Sequence, residues 1–175
     1  MTRRSDRILL VGMMGAGKTT LGRALAAHLE RPFLDNDQLV RERTGRQAAE
    51  IDATDGEEAL HEAEVAALRA ALERPGPAVI AVAGAVVDRD GERTILRGAG
   101  RVVWLRARPE TLRQRIGSGI GRRANATDLA WLSLRAAERE PAYREVAELI
   151  VDVDALGPAE AVGRIVAGLK LDVRA

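Results

Sequence analysis

Short apolar runs alternate along the chain with longer segments in which apolar residues recur at helical spacing. The runs predict buried strands, and the segments predict amphipathic helices, as at Leu21, Leu25 and Leu29 after the first run. The predicted strands are residues 7–11, 33–35, 78–82, 101–105 and 148–153. The predicted helices are 18–30, pieces of 36–73 broken near Gly45 and Gly56, 109–116, 128–147 and 158–169. This alternation predicts an α/β fold with a parallel, doubly wound sheet.

The composition narrows the class of protein. The chain has 175 residues, which suits one domain with a proper core, and 46% are hydrophobic, which argues against global disorder. It has no cysteine, so disulfides, thiolate metal sites and cysteine nucleophiles are excluded. The two histidines, His28 and His61, are too far apart for a histidine-based zinc site.

The net charge and the length of the apolar runs indicate whether the chain binds nucleic acid or membranes. A formal net charge of +1 gives no bulk attraction to nucleic acid or to acidic membranes. No apolar stretch approaches the ~20 residues that are needed to span a bilayer. We therefore expect a cytoplasmic protein that binds neither nucleic acid nor membrane and that is a monomer or a weak dimer.

Residues 12–19 read GMMGAGKT and match the phosphate-loop motif G-x-x-x-x-G-K-[ST], between a predicted strand and a predicted helix. Its glycines let the backbone N–H groups face phosphate oxygens, and the helix N-terminus adds partial positive charge. We expect Lys18 to reach the β- and γ-phosphates as a catalytic residue and the Thr19 hydroxyl to ligate Mg²⁺. The predicted nucleotide-binding residues of the loop are Gly12, Gly15, Ala16, Gly17, Lys18, Thr19 and Thr20.

Asp35 and Asp37 follow at the carboxyl end of the second predicted strand. This is the edge at which open α/β sheets bind their ligands. One carboxylate could bind the Mg²⁺ shell through water, and the other could accept a proton from an attacking hydroxyl. The competing interpretation is a solvated turn that caps the next helix.

The order and spacing of several segments resemble those of the shikimate kinases over nearly the whole chain. These segments are the phosphate loop, FLDND (33–37), RTGRQAAEIDATDGEEALHEAE (43–64), VIAVAGAVV (79–87) and REPAY (139–143). The resemblance implies a five-stranded parallel P-loop kinase fold with a mobile lid, as a single domain over 1–175. The lid would lie at about 117–127 and an acceptor-binding helical segment at about 36–73. In that family MgATP phosphorylates a hydroxyl of a small cyclic carboxylic acid, so ATP and Mg²⁺ are the expected cofactors.

The resemblance also implies roles for individual residues. Asp35 resembles the carboxylate that takes part in the metal site of the family. Asp37 resembles the residue that binds the acceptor hydroxyl and acts as base. Arg122 resembles a catalytic lid arginine that contacts the nucleotide and stabilises the transferring phosphate, with Arg123 beside it as the other candidate. Arg139 resembles the arginine that grips the acceptor carboxylate.

The departures from the family pattern concentrate on the acceptor. The family has Phe-Arg at Leu60-His61, an aromatic residue at Asp52 and Gly-Gly-Gly at residues 83–85, which read AGA here. An imidazole cannot form the bidentate fork of an arginine. The alanines add methyl groups where backbone and ligand would meet, at a cost on the order of 1 kcal/mol if φ is positive. The predicted acceptor-binding residues are Asp37, Asp52, His61, Gly84, Ala85 and Arg139.

These observations predict an ATP-dependent phosphotransfer to a hydroxyl of a small polar acceptor. Shikimate is the leading named acceptor, whereas the altered acceptor residues favour a related cyclitol or polyol. The alternative is a non-catalytic nucleotide-binding regulator. Asp37 and Arg139 argue against that alternative, because a protein without an acceptor needs neither.

Overall fold

A computed structural model describes residues 7–117 and 126–171 and shows a parallel sheet flanked by helices. The strands are β1 (Arg7–Val11), β2 (Phe33–Asp35), β3 (Ala78–Ala81), β4 (Arg101–Arg106) and β5 (Leu149–Asp152). The helices are α1 (Lys18–His28), α2 (Asn36–Thr44), α3 (Ala48–Asp55), α4 (Glu57–Glu73), α5 (Asp90–Ala99), α6 (Pro109–Ile116), α7 (Leu129–Val146) and α8 (Pro158–Gly168). A short 3₁₀ helix (Gly84–Asp88) lies between β3 and α5. The predicted five-stranded parallel fold is confirmed.

The central strand of the sheet is β1. The strand order is β2-β3-β1-β4-β5, and Leu9 of β1 lies opposite Ile80 of β3 and Val102 of β4. Leu9 and its neighbours Ile8 and Leu10 are completely buried, since helices cover both faces of such a sheet and its strands read as continuous apolar runs. The chain therefore leaves the middle of the sheet at the end of β1, where a ligand crevice is expected.

The three helices between β2 and β3 begin and end where the sequence predicts breaks. Gly45, with φ of 71°, ends α2, and Gly56, with φ of 92°, separates α3 from α4. Helix α4 then packs against both α2 and α3 and buries Leu60, Leu68 and other residues of one face. Within the described ranges, no helix has the length and apolar character that crossing a bilayer requires.

The 3₁₀ helix and α5 were not predicted from the sequence. Helix α5 is short and mostly polar, and Leu96 is its one buried residue, so few apolar positions mark it as a helix. Neither alanine beside Gly84 has the positive φ that would strain it, because Ala83 has φ of −61° and Ala85 lies inside the 3₁₀ helix. The backbone strain considered for residues 83 and 85 is therefore absent.

Candidate active site

A cleft of about 530 Å³ lies at the carboxyl ends of the strands, with the phosphate loop at its centre. We call one side the β2–β3 end, and its lining includes Asp37, Glu64, Gly84 and Arg139. We call the other side the β5 end, and its lining includes Arg115, Val153, Leu156 and Pro158. A single cavity thus connects both sides of the sheet across the end of β1.

The phosphate loop has the backbone shape that its glycines predict. Gly12, Gly15 and Gly17 have φ of 145°, 84° and 94°. A Cβ at Gly12 would come within 2.6 Å of the carbonyl oxygen of Leu105, and a Cβ at Gly15 within 2.8 Å of that of Leu112. The loop is therefore held against β4 and α6, and larger residues at these two positions would displace it.

Lys18 curls back over the loop. Its Nζ donates hydrogen bonds to the carbonyl oxygens of Gly12, at 2.7 Å, and Met13, at 3.1 Å. Lys18 lines the cleft, as do Gly15, Ala16, Gly17, Thr19 and Thr20, whereas Gly12 contributes through the carbonyl that holds the lysine. No side chain caps the start of α1, so the N–H groups of its first turn remain available to an anion.

Thr19, Asp35 and Asp37 come together beside the loop. The Thr19 hydroxyl donates to Asp35 Oδ2 at 2.7 Å, and Asp35 Oδ1 accepts from the backbone N–H of Asp37 at 3.0 Å. Between the two aspartates, the buried Asn36 side chain donates to the backbone carbonyl of Glu64 at 3.1 Å. Asp35 thus caps α2 and also faces the phosphate loop, so the capping interpretation does not exclude the ligand-binding one.

The Thr19 and Asp35 oxygens suit Mg²⁺, which prefers hard oxygen ligands. Both residues line the cleft next to Lys18. Across residues 7–117 and 126–171 there is no cluster of three or more His, Cys, Asp and Glu that could hold a metal. A sparse site fits Mg²⁺, which keeps several waters and is commonly held by one or two protein oxygens together with substrate phosphates.

Arg139 of α7 lies at the β2–β3 end in a bidentate pair. Its Nε and Nη2 donate to Asp88 Oδ1 and Oδ2, each at 2.8 Å, and the arginine side chain is 9% exposed. Burial lowers the pKa of Arg139, but the hydrogen bonds to Asp88 and the charges of Tyr143, Asp88 and Glu64 together outweigh burial and hold that pKa above its usual value. The remaining nitrogen, Nη1, contacts the Met13 sulfur at 3.9 Å. The guanidinium is therefore charged and fixed at the cleft wall.

Gly84 ties the turn after β3 to the phosphate loop. A Cβ at this residue would lie 3.2 Å from the Gly12 carbonyl oxygen and 3.3 Å from the Tyr143 hydroxyl. The Tyr143 hydroxyl donates to the Gly84 carbonyl at 2.9 Å, and burial raises the pKa of Tyr143, so the hydroxyl remains a donor. Ala83 and Ala85 flank Gly84 and also line the cleft.

Asp52 and His61 are not among the described residues that line the cleft. Asp52 is half-buried on α3, and His61 is 6% exposed on α4 with no hydrogen-bond partner at Nε2 within the described part of the chain. Leu60 and Glu64 of α4 line the cleft instead. Successive helix residues point about 100° apart, so the helix that directs Leu60 and Glu64 to the cleft turns His61 away.

The lining residues that were not predicted include Glu64, Arg115 and Trp131. Glu64 follows Leu60 by one helical turn, which is the spacing that could have identified it. Arg115 stands at the end of α6, and its guanidinium donates to the Val153 carbonyl at 2.5 Å. Nothing in the local sequence distinguishes Arg115 or Trp131 from surface residues. Most of the predicted lid, with Arg122 and Arg123, lies outside the described residues.

Comparison with known proteins adds independent information. Residues 14–170 match the family model for shikimate kinase. A shikimate kinase of Symbiobacterium thermophilum is 42% identical over 169 residues, which are 93% of this chain and 95% of that protein. The structure of Acinetobacter baumannii shikimate kinase in complex with shikimate is 30% identical, with a TM-score of 0.85 and 96% of both chains covered. A gluconokinase of Sinorhizobium meliloti shares the fold, with a TM-score of 0.66 at 23% identity, over 96% of this chain and 93% of the gluconokinase.

Proposed function

Because the chain belongs to the shikimate kinase family, we propose that it transfers the γ-phosphoryl group of ATP to a hydroxyl of shikimate. Family membership makes the chain an ATP-dependent small-molecule kinase. The observation that carries the proposal is the single cleft in which the phosphate loop adjoins Asp37 and Arg139. A nucleotide and a second small molecule can meet there across the end of β1.

The nucleotide occupies the phosphate loop and extends toward the β5 end. Lys18 exchanges its two backbone carbonyl partners for the β- and γ-phosphates, since a charged acceptor makes the stronger hydrogen bond. The apolar side chains of Val153, Leu156 and Pro158 offer a surface to the nucleobase. The β2–β3 end is then left for the acceptor.

Thr19 and Asp35 are the residues that hold Mg²⁺, the threonine through its hydroxyl and the aspartate directly or through water. When bound, the ion neutralises charge on the β- and γ-phosphates. Because Asp35 also caps α2, its carboxylate is fixed before the ion arrives. This arrangement places the metal side of the site next to the residue that receives the acceptor.

Asp37 orients the acceptor hydroxyl and accepts its proton as the oxygen attacks phosphorus. It is exposed, lines the cleft and lies two residues from the metal-side carboxylate. Lys18 stabilises the negative charge on the transferring phosphoryl group, which is the main way such a reaction is accelerated. Arg122 serves the same purpose from the lid. Arg139 binds the acceptor carboxylate through Nη1.

A neutral cyclitol or polyol is the second candidate acceptor, and the charge at the β2–β3 end favours it. Two acidic residues, Asp37 and Glu64, line this end. His61, where the family has a second arginine, does not face the cleft. An anionic acceptor is therefore expected to bind more weakly than in a site with two guanidinium groups.

One assay, run with three kinds of acceptor, decides between these candidates. ADP release is measured with shikimate, with its uncharged methyl ester, and with neutral cyclitols such as inositols. Shikimate as substrate predicts saturation at micromolar to millimolar KM and a higher kcat/KM than for the ester. Faster turnover of a neutral cyclitol than of shikimate would show that the cyclitol is the acceptor. Nucleotide binding without turnover of any acceptor would favour the non-catalytic regulator.

A further inference from the structure

We propose that Asp88 is the positioning residue that orients Arg139 toward the acceptor, an inference that rests on the proposed function. Asp88 ends the 3₁₀ helix and binds the Nε–Nη2 edge of the guanidinium with both carboxylate oxygens. It does not line the cleft among the described residues, so it acts through the arginine.

The geometry leaves one end of the guanidinium outside the pair with Asp88. With Nε and Nη2 each 2.8 Å from Asp88, Nη1 is directed toward the cleft wall that Met13 and Gly84 form. A Cβ built on Gly84 would lie 3.8 Å from Nη1, which shows how close this nitrogen is to the turn after β3. The planar guanidinium has a fixed donor fork, so holding one edge fixes the direction of the other.

Burial distinguishes this pair from the ion pairs on the protein surface. The side chains of Arg139 and Asp88 are 9% and 34% exposed, whereas those of Arg106 and Asp152, a comparable bidentate pair, are 39% and 57% exposed. A buried arginine cannot reorient through water at little cost, and exposed pairs of the second kind contribute little. The Asp88 contact therefore determines where the Arg139 charge is presented.

The same short helix also places the acceptor turn. Gly84 begins the 3₁₀ helix and Asp88 ends it, so the glycine that contacts Tyr143 and the aspartate that contacts Arg139 belong to the same short helix. Both contacts are made with α7, four residues apart on that helix. Substitution of Asp88 should therefore change recognition of the acceptor carboxylate while leaving the phosphate loop intact.

The test compares Asp88→Asn with Asp88→Glu and with the matched control Asp90→Asn in the full chain. Asp90 lies two residues away, is 94% exposed and pairs with Arg93 outside the cleft. We expect Asp88→Asn to raise the KM for shikimate about tenfold, with the kcat and the KM for ATP changed less than about twofold. The KM for methyl shikimate should change less than about threefold, Asp88→Glu should recover part of the loss, and Asp90→Asn should match the wild type.

Three results would overturn the inference: an unchanged or lower KM for shikimate in Asp88→Asn, equal increases for shikimate and its ester, or a parallel loss of kcat and of both affinities. Binding is measured separately by tryptophan fluorescence, since Trp131 lines the cleft. If the wild type binds shikimate but transfers no phosphate to it, the proposed function fails, and the titration still decides the inference. Weaker binding to Asp88→Asn then supports it, and equal binding overturns it.

Discussion

The phosphate loop and the β2–β3 end of the cleft are built in different ways. The loop is one continuous segment, 12–19, and its proposed ligand groups are backbone N–H groups shaped by glycines, together with Lys18 and Thr19. The β2–β3 end is assembled from Asp37, Glu64, Gly84 and Arg139, which come from three α-helices and the 3₁₀ helix. A backbone site depends on a few glycines, whereas a side-chain site can change its ligand through scattered substitutions that leave the fold intact.

The most severe loss is expected from Lys18→Gln at the phosphate loop. The substitution removes a cation aligned with the phosphates, and kcat/KM should fall about 10³-fold or more, because charge stabilisation dominates phosphoryl transfer. Lys170→Gln is the matched control, because Lys170 is the other lysine of the chain. It is exposed and lies just after the C-terminal end of α8. Activity within about tenfold of the wild type in Lys18→Gln would contradict the assigned role.

Asp37→Asn tests the chemistry at the other end of the cleft. Without a proton acceptor, kcat should fall about 10²- to 10⁴-fold while nucleotide binding is retained. The control is Glu42→Gln, an exposed carboxylate on the same helix that accepts a hydrogen bond from Gln38. Steady-state kinetics, together with nucleotide binding measured by calorimetry, separate the two steps. A loss of nucleotide affinity as large as the loss of kcat would show that Asp37 binds the nucleotide and not the acceptor.

Gly84→Ala tests the contact between the two regions. The added methyl group would press on the Gly12 carbonyl, at 3.2 Å, and on the Tyr143 hydroxyl, at 3.3 Å. We expect the free energy of unfolding to fall by about 1–3 kcal/mol and the acceptor KM to rise. Gly163→Ala, inside α8 with open space around its Cβ, should stabilise by about 0.5–1 kcal/mol. Denaturant unfolding of both variants checks the difference, and a neutral Gly84→Ala would show that the two regions are not tightly coupled.

The smallest expected effect is a gain. Restoring the family pattern at the turn after β3 with Ala83→Gly and Ala85→Gly together should lower the KM for shikimate about threefold or less, because both residues line the cleft and each loses a methyl group. His61→Arg alone should not lower this KM, because residue 61 does not line the cleft. No gain in the double variant would mean that the altered specificity lies elsewhere at the β2–β3 end, for example at Glu64.

The same contrast explains what could be predicted from the sequence. Most of the strands were predictable because they are continuous apolar runs, and the phosphate loop was predictable because its motif is contiguous between a strand and a helix. The helix α5 was missed because Leu96 alone gives it a buried position. Gly45 and Gly56 marked real breaks, since both have positive φ at helix ends.

The β2–β3 end could be predicted only in part. Arg139 and Gly84 line the cleft as expected, whereas the pairing of Arg139 with Asp88, 51 positions apart, depends on how α7 packs against the 3₁₀ helix. Helical spacing alone does not fix the rotation of α4, so the sequence could not show that Leu60 and Glu64, rather than His61, face the cleft. These contacts depend on tertiary packing, which no local pattern records.

The most direct test of the central claim measures how much ADP and how much phosphate ester the wild-type chain forms from MgATP and shikimate. We expect saturable turnover with one molecule of ester for each molecule of ADP, and we expect this turnover to be lost in both Lys18→Gln and Asp37→Asn. Nucleotide binding with no acceptor-dependent ADP, on shikimate or on any neutral cyclitol, would contradict it.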